Sequence, residues 1–272
     1  MDRRTTPNSG RIAHISLAGE VSVPLTKGEA AQIVLPLIDL LDKPGGARDR
    51  QLLLGAPVTV IDRDKGHAFI MSDRDGYCGW VAERAVGEGP EPTHWVVAPG
   101  THLYSEPMVQ AQEAAGLSLG SRLAVTGAWG AWANTPHGYV PLCHLRPVEH
   151  FAPDPVSVAE SLLGTPYLWG GNSRSGIDCS GLVQVAFHAA GRDCPGDSDM
   201  QMALGRGLSP TEPLKRGDLV FWKGHVAMVV NENTLIHANG HTMSVSYEGI
   251  RGAIGRISAS GGGLVQARQR VD

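Results

Sequence analysis

The chain has 272 residues, which is long for one domain and sufficient for two or three. Hydrophobic residues make up 42% and charged residues 18%, an ordinary balance for a globular protein. The net charge is −4, from 23 Lys and Arg against 27 Asp and Glu, which argues against a dedicated nucleic-acid-binding protein with its basic excess.

The N-terminus carries charges but no apolar run of roughly 7–15 residues follows them, so we expect no secretory signal. No stretch approaches the roughly 18 apolar residues of a membrane span. We therefore expect a cytoplasmic protein with reduced thiols and no membrane partner. The four cysteines form no C-x-x-C pair, which excludes a zinc ribbon or a thioredoxin-type motif.

Residues 32 to about 150 contain short apolar runs separated by Gly, Pro and Asp, a pattern typical of small all-β units. Gly79-Trp80-Val81 and Gly138-Tyr139-Val140 each end a stretch with the same order of strands, about sixty residues apart. This tandem layout resembles bacterial SH3-like domains, small barrels often attached to cell-wall enzymes. We predict an N-terminal extension over 1–30 and two SH3-like barrels over 31–90 and 91–150.

A Pro-rich linker at 151–155 precedes a change of pattern, since Pro favours extended backbone. Apolar spacing predicts helices over 156–163 and 180–190, each followed by Gly. Strands are predicted over 218–222, 225–230, 234–238 and 243–247, and the tail either forms a last strand around 264–265 or stays mobile. Helices followed by strands predict an α+β domain with an antiparallel sheet over 151–272.

Cys179 falls at the start of the second predicted helix, directly after Asp178, a residue type that caps helices. The helix dipole and the free N–H groups there favour an anion, so we expect a stabilised thiolate and a site for a tetrahedral oxyanion. A lone cysteine in this position is more often a small buried residue. Two later histidines change that interpretation.

His225 begins a predicted strand and His237 lies inside the next one. A cysteine nucleophile needs a base, and the base needs a polar group to orient it. We expect His225 to be the base and His237 the orienting group. The two side chains must then share a face of the sheet, which requires an odd-length loop after Val230 or a bulge that restores the register.

Five motifs occur in order over residues 160–240. They lie at 166–171 (PYLWGG), 176–183 (GIDCSGLV), 216–221 (RGDLVF), 224–227 (GHVA) and 235–238 (LIHA). Together they resemble the NlpC-type cell-wall cysteine peptidases, papain-like enzymes that cut peptidoglycan stem peptides. The resemblance implies a papain-like catalytic domain that needs no cofactor and no metal.

The segment from Asp197 and Ser198 to Gln201 resembles a subgroup, the γ-D-glutamyl-L-diamino acid endopeptidases with two SH3-like domains. The resemblance implies that Tyr167 lies close to the thiol and that a Tyr of the first SH3-like domain, here Tyr77, closes the pocket. An acidic partner from that domain is assigned to Asp49. The remaining residues implied to contact substrate flank the nucleophile or follow its helix: Asp178, Ser180, Asp197 and Ser198.

The implied reaction is hydrolysis of the γ-D-glutamyl-L-diamino acid bond in stem peptides with a free N-terminal L-Ala, during murein recycling in the cytoplasm. Meso-diaminopimelate is the expected diamino acid, although Lys stays open, as does the oligomeric state. Three alternatives remain: a general hydrolase of intact wall, a non-catalytic wall-binding protein, and a lipid-directed acyltransferase. The last has His before Cys, an order that this chain lacks.

Overall fold

The structure, a computed structural model, describes residues 1–271 and divides into two compact units after His150. Residue 272, the end of the last predicted domain, lies outside the described residues. Within residues 1–271, no helix combines the length and the apolar character that crossing a membrane requires.

The first unit is built from short strands joined by tight turns. Its strands are β1 Ala13–His14, β2 Leu25–Thr26, β3 Glu29–Ile33, β4 Leu37–Leu41, β5 Arg48–Leu53, β6 Pro57–Asp64, β7 His67–Ser72, β8 Cys78–Ala82, β9 Val86–Gly87, β10 His94–Val96, β11 Gly100–Tyr104, β12 Glu113–Ser118, β13 Arg122–Leu123, β14 Gly127–Trp129, β15 Trp132–Thr135, β16 Gly138–Pro141 and β17 Leu145–Pro147. Short 3-10 turns follow β1, β8 and β16.

Seven strands of the first unit form one sheet in the order β5-β4-β8-β7-β6-β3-β9. Alternating side chains on these strands point inward, and Leu40, Val58 and Ile70 are fully buried. The N-terminal segment packs on this sheet, where the backbone N–H of Cys78 donates to the carbonyl of Arg4 at 2.7 Å. The predicted extension therefore belongs structurally to the first lobe of this unit, which is the part built on the seven-stranded sheet.

The second lobe of the first unit has two sheets, ordered β13-β10-β17 and β12-β11-β16-β15-β14. Its core contains Val96, Leu103 and Leu123 and also takes in Leu54, the residue after β5. Gly55 follows with a positive φ of +75°, and a Cβ there would collide with the backbone carbonyl of Arg122. The two lobes therefore meet backbone to backbone at a position that requires glycine.

The second unit begins with helices and continues with a sheet. Its elements are α1 Pro155–Ser161, β18 Asn172–Ser173, β19 Gly176–Ile177, α2 Cys179–Ala189, α3 Ser198–Gln201, β20 Arg206–Gly207, β21 Leu219–Trp222, β22 His225–Asn231, β23 Thr234–Asn239, β24 Ser244–Gly249, α4 Ile250–Ala259 and β25 Ala267–Arg270. The two predicted helices and four predicted strands are confirmed to within about two residues at their ends.

Six strands form an antiparallel sheet in the order β20-β25-β21-β22-β23-β24, and α2 packs against β22 and β23. A second helix, α4, buries Ile250, Ala253 and Ile257 in a core cluster with residues of β21, β22 and β23. Helix α4 is not evident from the sequence, because Gly252 and Gly255 lower the helix propensity of the segment. Packing of its apolar stripe overrides that propensity.

The position of the last strand also differs from the prediction. It runs over 267–270 and not around 264–265, and its residues Ala-Arg-Gln-Arg give no apolar signal. It pairs with both β20 and β21. Arg270 makes two hydrogen bonds to the buried Asp218, at 2.8 and 2.7 Å, so ion pairing holds this strand in place of apolar side chains.

Candidate active site

Asp178 fixes where α2, the helix that carries Cys179, begins. Its Oδ1 accepts hydrogen bonds from the backbone N–H of Gly181 at 2.7 Å and the hydroxyl of Ser180 at 3.0 Å. Its Oδ2 accepts from the backbone N–H of Gly170 at 2.8 Å. This N-cap starts α2 at Cys179 and ties the helix to the loop before it, so the thiol is held at the first helical position.

The Cys179 thiol is buried among backbone donors. The N–H groups of Val226, Ser180 and Cys179 itself face the sulfur and favour its anion. Burial and the charge of Asp178 outweigh them and raise the pKa of Cys179 to about 12. The expectation of a stabilised thiolate is therefore wrong: the carboxylate that caps the helix also repels a negative sulfur.

A bulge brings the two histidines to one face of the sheet. The turn between β22 and β23 has two residues and pairs Asn231 with Thr234, but the register shifts by one residue between Val229 and Asn231. Val230 is the extra residue. His237 consequently faces Ala227, one diagonal step from His225, and the predicted bulge is confirmed.

The histidine rings are in direct contact. Nε2 of His225 and Nδ1 of His237 lie 2.9 Å apart, a hydrogen bond. Burial, together with the neighbouring His237, lowers the pKa of His225 to about 3. Burial also lowers the pKa of His237 to about 4, although Glu248 opposes this. Both rings are therefore neutral at pH 7.

Glu248 and Arg256 extend the histidine pair, and neither was among the site residues predicted from the sequence. Oε2 of Glu248 lies 3.1 Å from Nε2 of His237, at ion-pair distance but not aligned as a hydrogen bond. Arg256, on α4, donates to both Glu248 oxygens at 2.9 and 2.7 Å. Strand alternation after His237 could have indicated Glu248, whereas Arg256 lies on a helix that was not predicted.

The loop with Asp197 and Ser198 is tied to the nucleophile helix through Gln201. The buried Gln201 amide donates from Nε2 to the carbonyl of Ser180 at 3.0 Å and that of Pro195 at 2.9 Å. Asp197 lies close enough to Asp178 for its charge to add to the effect of burial, and together they raise the pKa of Asp178. Two carboxyl groups thus lie near each other beside the start of α2.

Tyr167 is half-buried, and its backbone N–H donates to the carbonyl of Met243 at 2.9 Å. Burial raises the pKa of its phenol, and the charges of Cys179 and Asp178 raise it further. The phenol therefore lies near the sulfur. The structure brings together Tyr167, Asp178, Cys179 and Ser180 at one end of α2.

Tyr77 and Asp49 belong to the first unit. Tyr77 is buried, and the guanidinium of Arg50 lies 4.9 Å from the centre of its ring. Asp49 makes an ion pair with Arg3 at 2.5 Å. The contacts of Tyr77 and Asp49 with a substrate stay predictions.

Two segments of the chain match known families. Residues 164–255 match the NlpC/P60 family, and residues 40–86 match the bacterial dipeptidyl-peptidase SH3 domain. Neither of these two matches extends into residues 91–150.

Curated relatives match along both units. A γ-D-glutamyl-L-lysine dipeptidyl-peptidase of Bacillus cereus is 27% identical over 224 residues, covering 70% of this chain and 67% of the relative. Dipeptidyl-peptidase 6 of Lysinibacillus sphaericus is 26% identical over 215 residues, covering 70% of this chain and 79% of the relative. Among solved structures, an NlpC/P60 family protein from Bacillus cereus superposes with a TM-score of 0.75 at 21% identity, covering 89% of this chain and 99% of the other, which shows a shared fold.

Proposed function

We propose, from the membership of residues 164–255 in the NlpC/P60 family of cysteine peptidases, that this enzyme hydrolyses the γ-D-glutamyl-L-diamino acid bond of peptidoglycan stem peptides with a free N-terminal L-Ala. The observation that supports the proposal is a hydrogen-bonded pair, His225 and His237, in which His225 begins β22 and the next residue, Val226, directs its backbone N–H at the Cys179 sulfur. The carboxyl group of Asp178 acts on the same sulfur, and that of Asp197 acts on Asp178. The names of the Bacillus cereus and Lysinibacillus sphaericus relatives support a dipeptidyl-peptidase activity.

Cys179 is the nucleophile and His225 the base. Because the resting thiol and imidazole are both neutral, His225 takes the thiol proton as the sulfur attacks the carbonyl carbon of the γ-D-glutamyl group. N–H groups at the start of α2 stabilise the resulting oxyanion. The proton passes from His225 to the leaving amine, a thioester remains, and water activated by His225 hydrolyses it and restores the thiol.

The free amine of the substrate is recognised by charge. Asp197, with Ser198 and the residues flanking the thiol, supplies carboxylate and hydroxyl acceptors for an ammonium group. A hydrogen bond of this kind contributes roughly 1.5–3 kcal/mol. If it is made in the transition state, the preference for a free over a blocked amine is roughly 10- to 150-fold.

The diamino acid, the place of action and the second β lobe complete the proposal. We propose diaminopimelate as the residue released, while the name of the Bacillus cereus relative specifies L-lysine.

Selection of a free amine suits fragments already detached from sugar, so the proposed role is recycling in the cytoplasm. We further propose that residues 91–150 form a second SH3-like domain, because their strands repeat the order of the first.

The test compares L-Ala-γ-D-Glu-diaminopimelate, its Lys counterpart and their N-acetylated forms, with kcat/KM as the measurement and product masses as identification. The proposal expects L-Ala-D-Glu as product, a clear preference for free amines, and no turnover by Cys179→Ala. Cys143→Ala, at an exposed thiol, is the matched control and keeps full activity. In Asp197→Ala the preference for the free amine shrinks.

Two results favour the alternatives. Equal rates on free and acetylated peptides by the wild type would overturn the recycling role and favour a general hydrolase of intact wall. Binding to insoluble peptidoglycan without turnover of any peptide would favour a non-catalytic wall-binding protein.

A further inference from the structure

We propose that Glu248, held by Arg256, is a positioning residue that fixes the tautomers of both histidines, leaving Nδ1 of His225 as the bare nitrogen that receives the Cys179 proton. The inference rests on the proposed roles of Cys179 and His225. It adds two residues that touch neither substrate nor thiol.

The sheet places Glu248 where it can act on His237. In the register of β23 and β24, Glu248 pairs with Leu235 and Ser246 pairs with His237. Leu235 and His237 point to the same face, so Glu248 lies on that face, one diagonal step from His237. The 3.1 Å distance from Oε2 to Nε2 follows from this register.

Arg256 keeps Glu248 charged and oriented. It donates to both carboxylate oxygens, a two-point contact that leaves little rotational freedom. The same contact lowers the pKa of Glu248 below its ordinary value of 4.5. Glu248 is therefore an anion at neutral pH, with a defined oxygen facing His237.

An anion at this position allows only one arrangement of protons. A bare Nε2 on His237 would set its lone pair against the Glu248 carboxylate, so Nε2 carries the hydrogen. In the neutral ring Nδ1 of His237 is then bare and accepts. Because Nε2 of His225 lies 2.9 Å from that nitrogen, it must be the donor. His225 is consequently left with a bare Nδ1.

The position of the thiol agrees with this assignment. The backbone N–H of Val226, the residue after His225, faces the Cys179 sulfur. Nδ1 is the ring nitrogen of His225 that does not face His237, so we assign to it the proton of the thiol that lies beside the next residue. When Nδ1 of His225 takes the thiol proton, the ring becomes positively charged. The Glu248 carboxylate stabilises this charge through His237.

Glu248→Gln removes the charge but keeps the shape of the side chain, so it should lower kcat more than it changes KM. The charged and titratable groups that act on the pair are His241, Glu248 and Arg256. Glu248 is the group that favours the protonated rings. Without its charge the imidazolium is less stable, so kcat falls and the acidic limb of the kcat/KM profile moves to lower pH.

The experiment measures Glu248→Gln with Glu212→Gln as the matched control. Glu212 also pairs with two arginines, Arg206 and Arg270, but at the opposite edge of the sheet. We expect kcat to fall roughly 10- to 100-fold in Glu248→Gln with KM within about twofold, in line with other outer partners of functional histidines. Glu212→Gln should match the wild type in kcat, KM and pH profile.

Imidazole ¹⁵N NMR of the wild type tests the tautomers without any substrate, so a wrong choice of peptide does not affect it. The proposal expects Nε2–H and a bare Nδ1 on both histidines, and a loss of this single pattern for His237 in Glu248→Gln. A protonated Nδ1 on His225 in the wild type would overturn the inference. So would a folded Glu248→Gln variant with unchanged kcat and unchanged ¹⁵N shifts.

Discussion

Cys179 lies where two opposing influences meet. Backbone N–H groups at the start of α2 favour the thiolate, while burial and the Asp178 carboxylate disfavour it and raise the pKa of the thiol to about 12. Burial is the larger of the two effects that keep the sulfur protonated at rest, and the residue that caps the helix adds to it. In the proposed mechanism, reactivity then depends on transfer of the proton to His225 during attack.

This balance gives a prediction for alkylation by iodoacetamide. Because the resting group is a thiol, its alkylation rate should rise with pH throughout the range from 6 to 9. Asp178→Asn keeps a good capping residue but removes the charge, so alkylation of Cys179 at pH 8 should become faster. Peptide mass spectrometry reads the two sites separately, with the exposed Cys143 as internal reference. A rate for Cys179 that does not vary with pH would show a thiolate already formed and contradict this account.

At the scale of elements, the start of α2 packs so closely against the preceding loop that a side chain at Gly181 would not fit. A Cβ on Gly181 would collide with the backbone carbonyl of Gly171 and also approach Asp178 Oδ1 at 3.2 Å. The helix and the loop therefore approach each other closely enough for Asp178 to bond to both of them. This contact fixes the start of α2, and with it Cys179, against the preceding loop.

Gly181→Ala and Gly252→Ala test this contact as a pair. Gly181→Ala should lower the free energy of unfolding by roughly 1–3 kcal/mol, because neither backbone can give way without disturbing the cap. Gly252 is an exposed glycine inside α4 with nothing within 4 Å of its Cβ position. Gly252→Ala should stabilise by roughly 0.5–1 kcal/mol through helix propensity alone. Urea unfolding measures both, and equal effects of the two substitutions would show that α2 has room at its start.

At the scale of the whole molecule, the two units differ in the groups that respond to acid. In the second unit, His225 and His237 titrate near 3 and 4 when folded and at 6.5 in the unfolded chain. In the first unit, burial raises the pKa of Asp75, but Arg50 and hydrogen bonds outweigh it and hold the value below 3.8.

Acid should therefore destabilise the second unit first. Below pH 6.5 the unfolded chain binds protons that the folded histidines exclude, so stability falls by at most about 1.4 kcal/mol per pH unit for each ring. The contribution of Asp75 is intact above 3.8 and is lost only below that value. Hydrogen exchange at pH 7 and pH 5, corrected for intrinsic rates, should show reduced protection in residues 151–271 and little change in residues 1–150. A double variant, His225→Gln with His237→Gln, should lose this pH dependence, and equal loss in both units of the wild type would refute the assignment.

Much of the candidate site could be predicted from the sequence, because helix capping and side-chain periodicity depend only on residues close together in the chain. Asp178 before an apolar helical pattern gave the position of Cys179, since capping and periodicity act over a few residues. The period-two rule required a bulge or an odd loop between His225 and His237, and Val230 supplies the bulge. The order of small β units and the α+β pattern after residue 155 followed from turn residues and apolar spacing in the same way.

The tertiary structure decided what depends on burial and on neighbours distant in the chain. The protonation of Cys179 could not be read locally, because burial outweighs the N–H groups that the sequence places beside it. Glu248 and Arg256 joined the site only because β24 lies next to β23 and because α4 forms despite its glycines. The sequence by itself predicted which groups react, and it determined that the two histidines must share a face of the sheet if they are to act together. The folded environment set the pKa values of these groups and, in the proposed mechanism, the direction in which the proton moves, because solvation and long-range pairing exist only once the chain is packed.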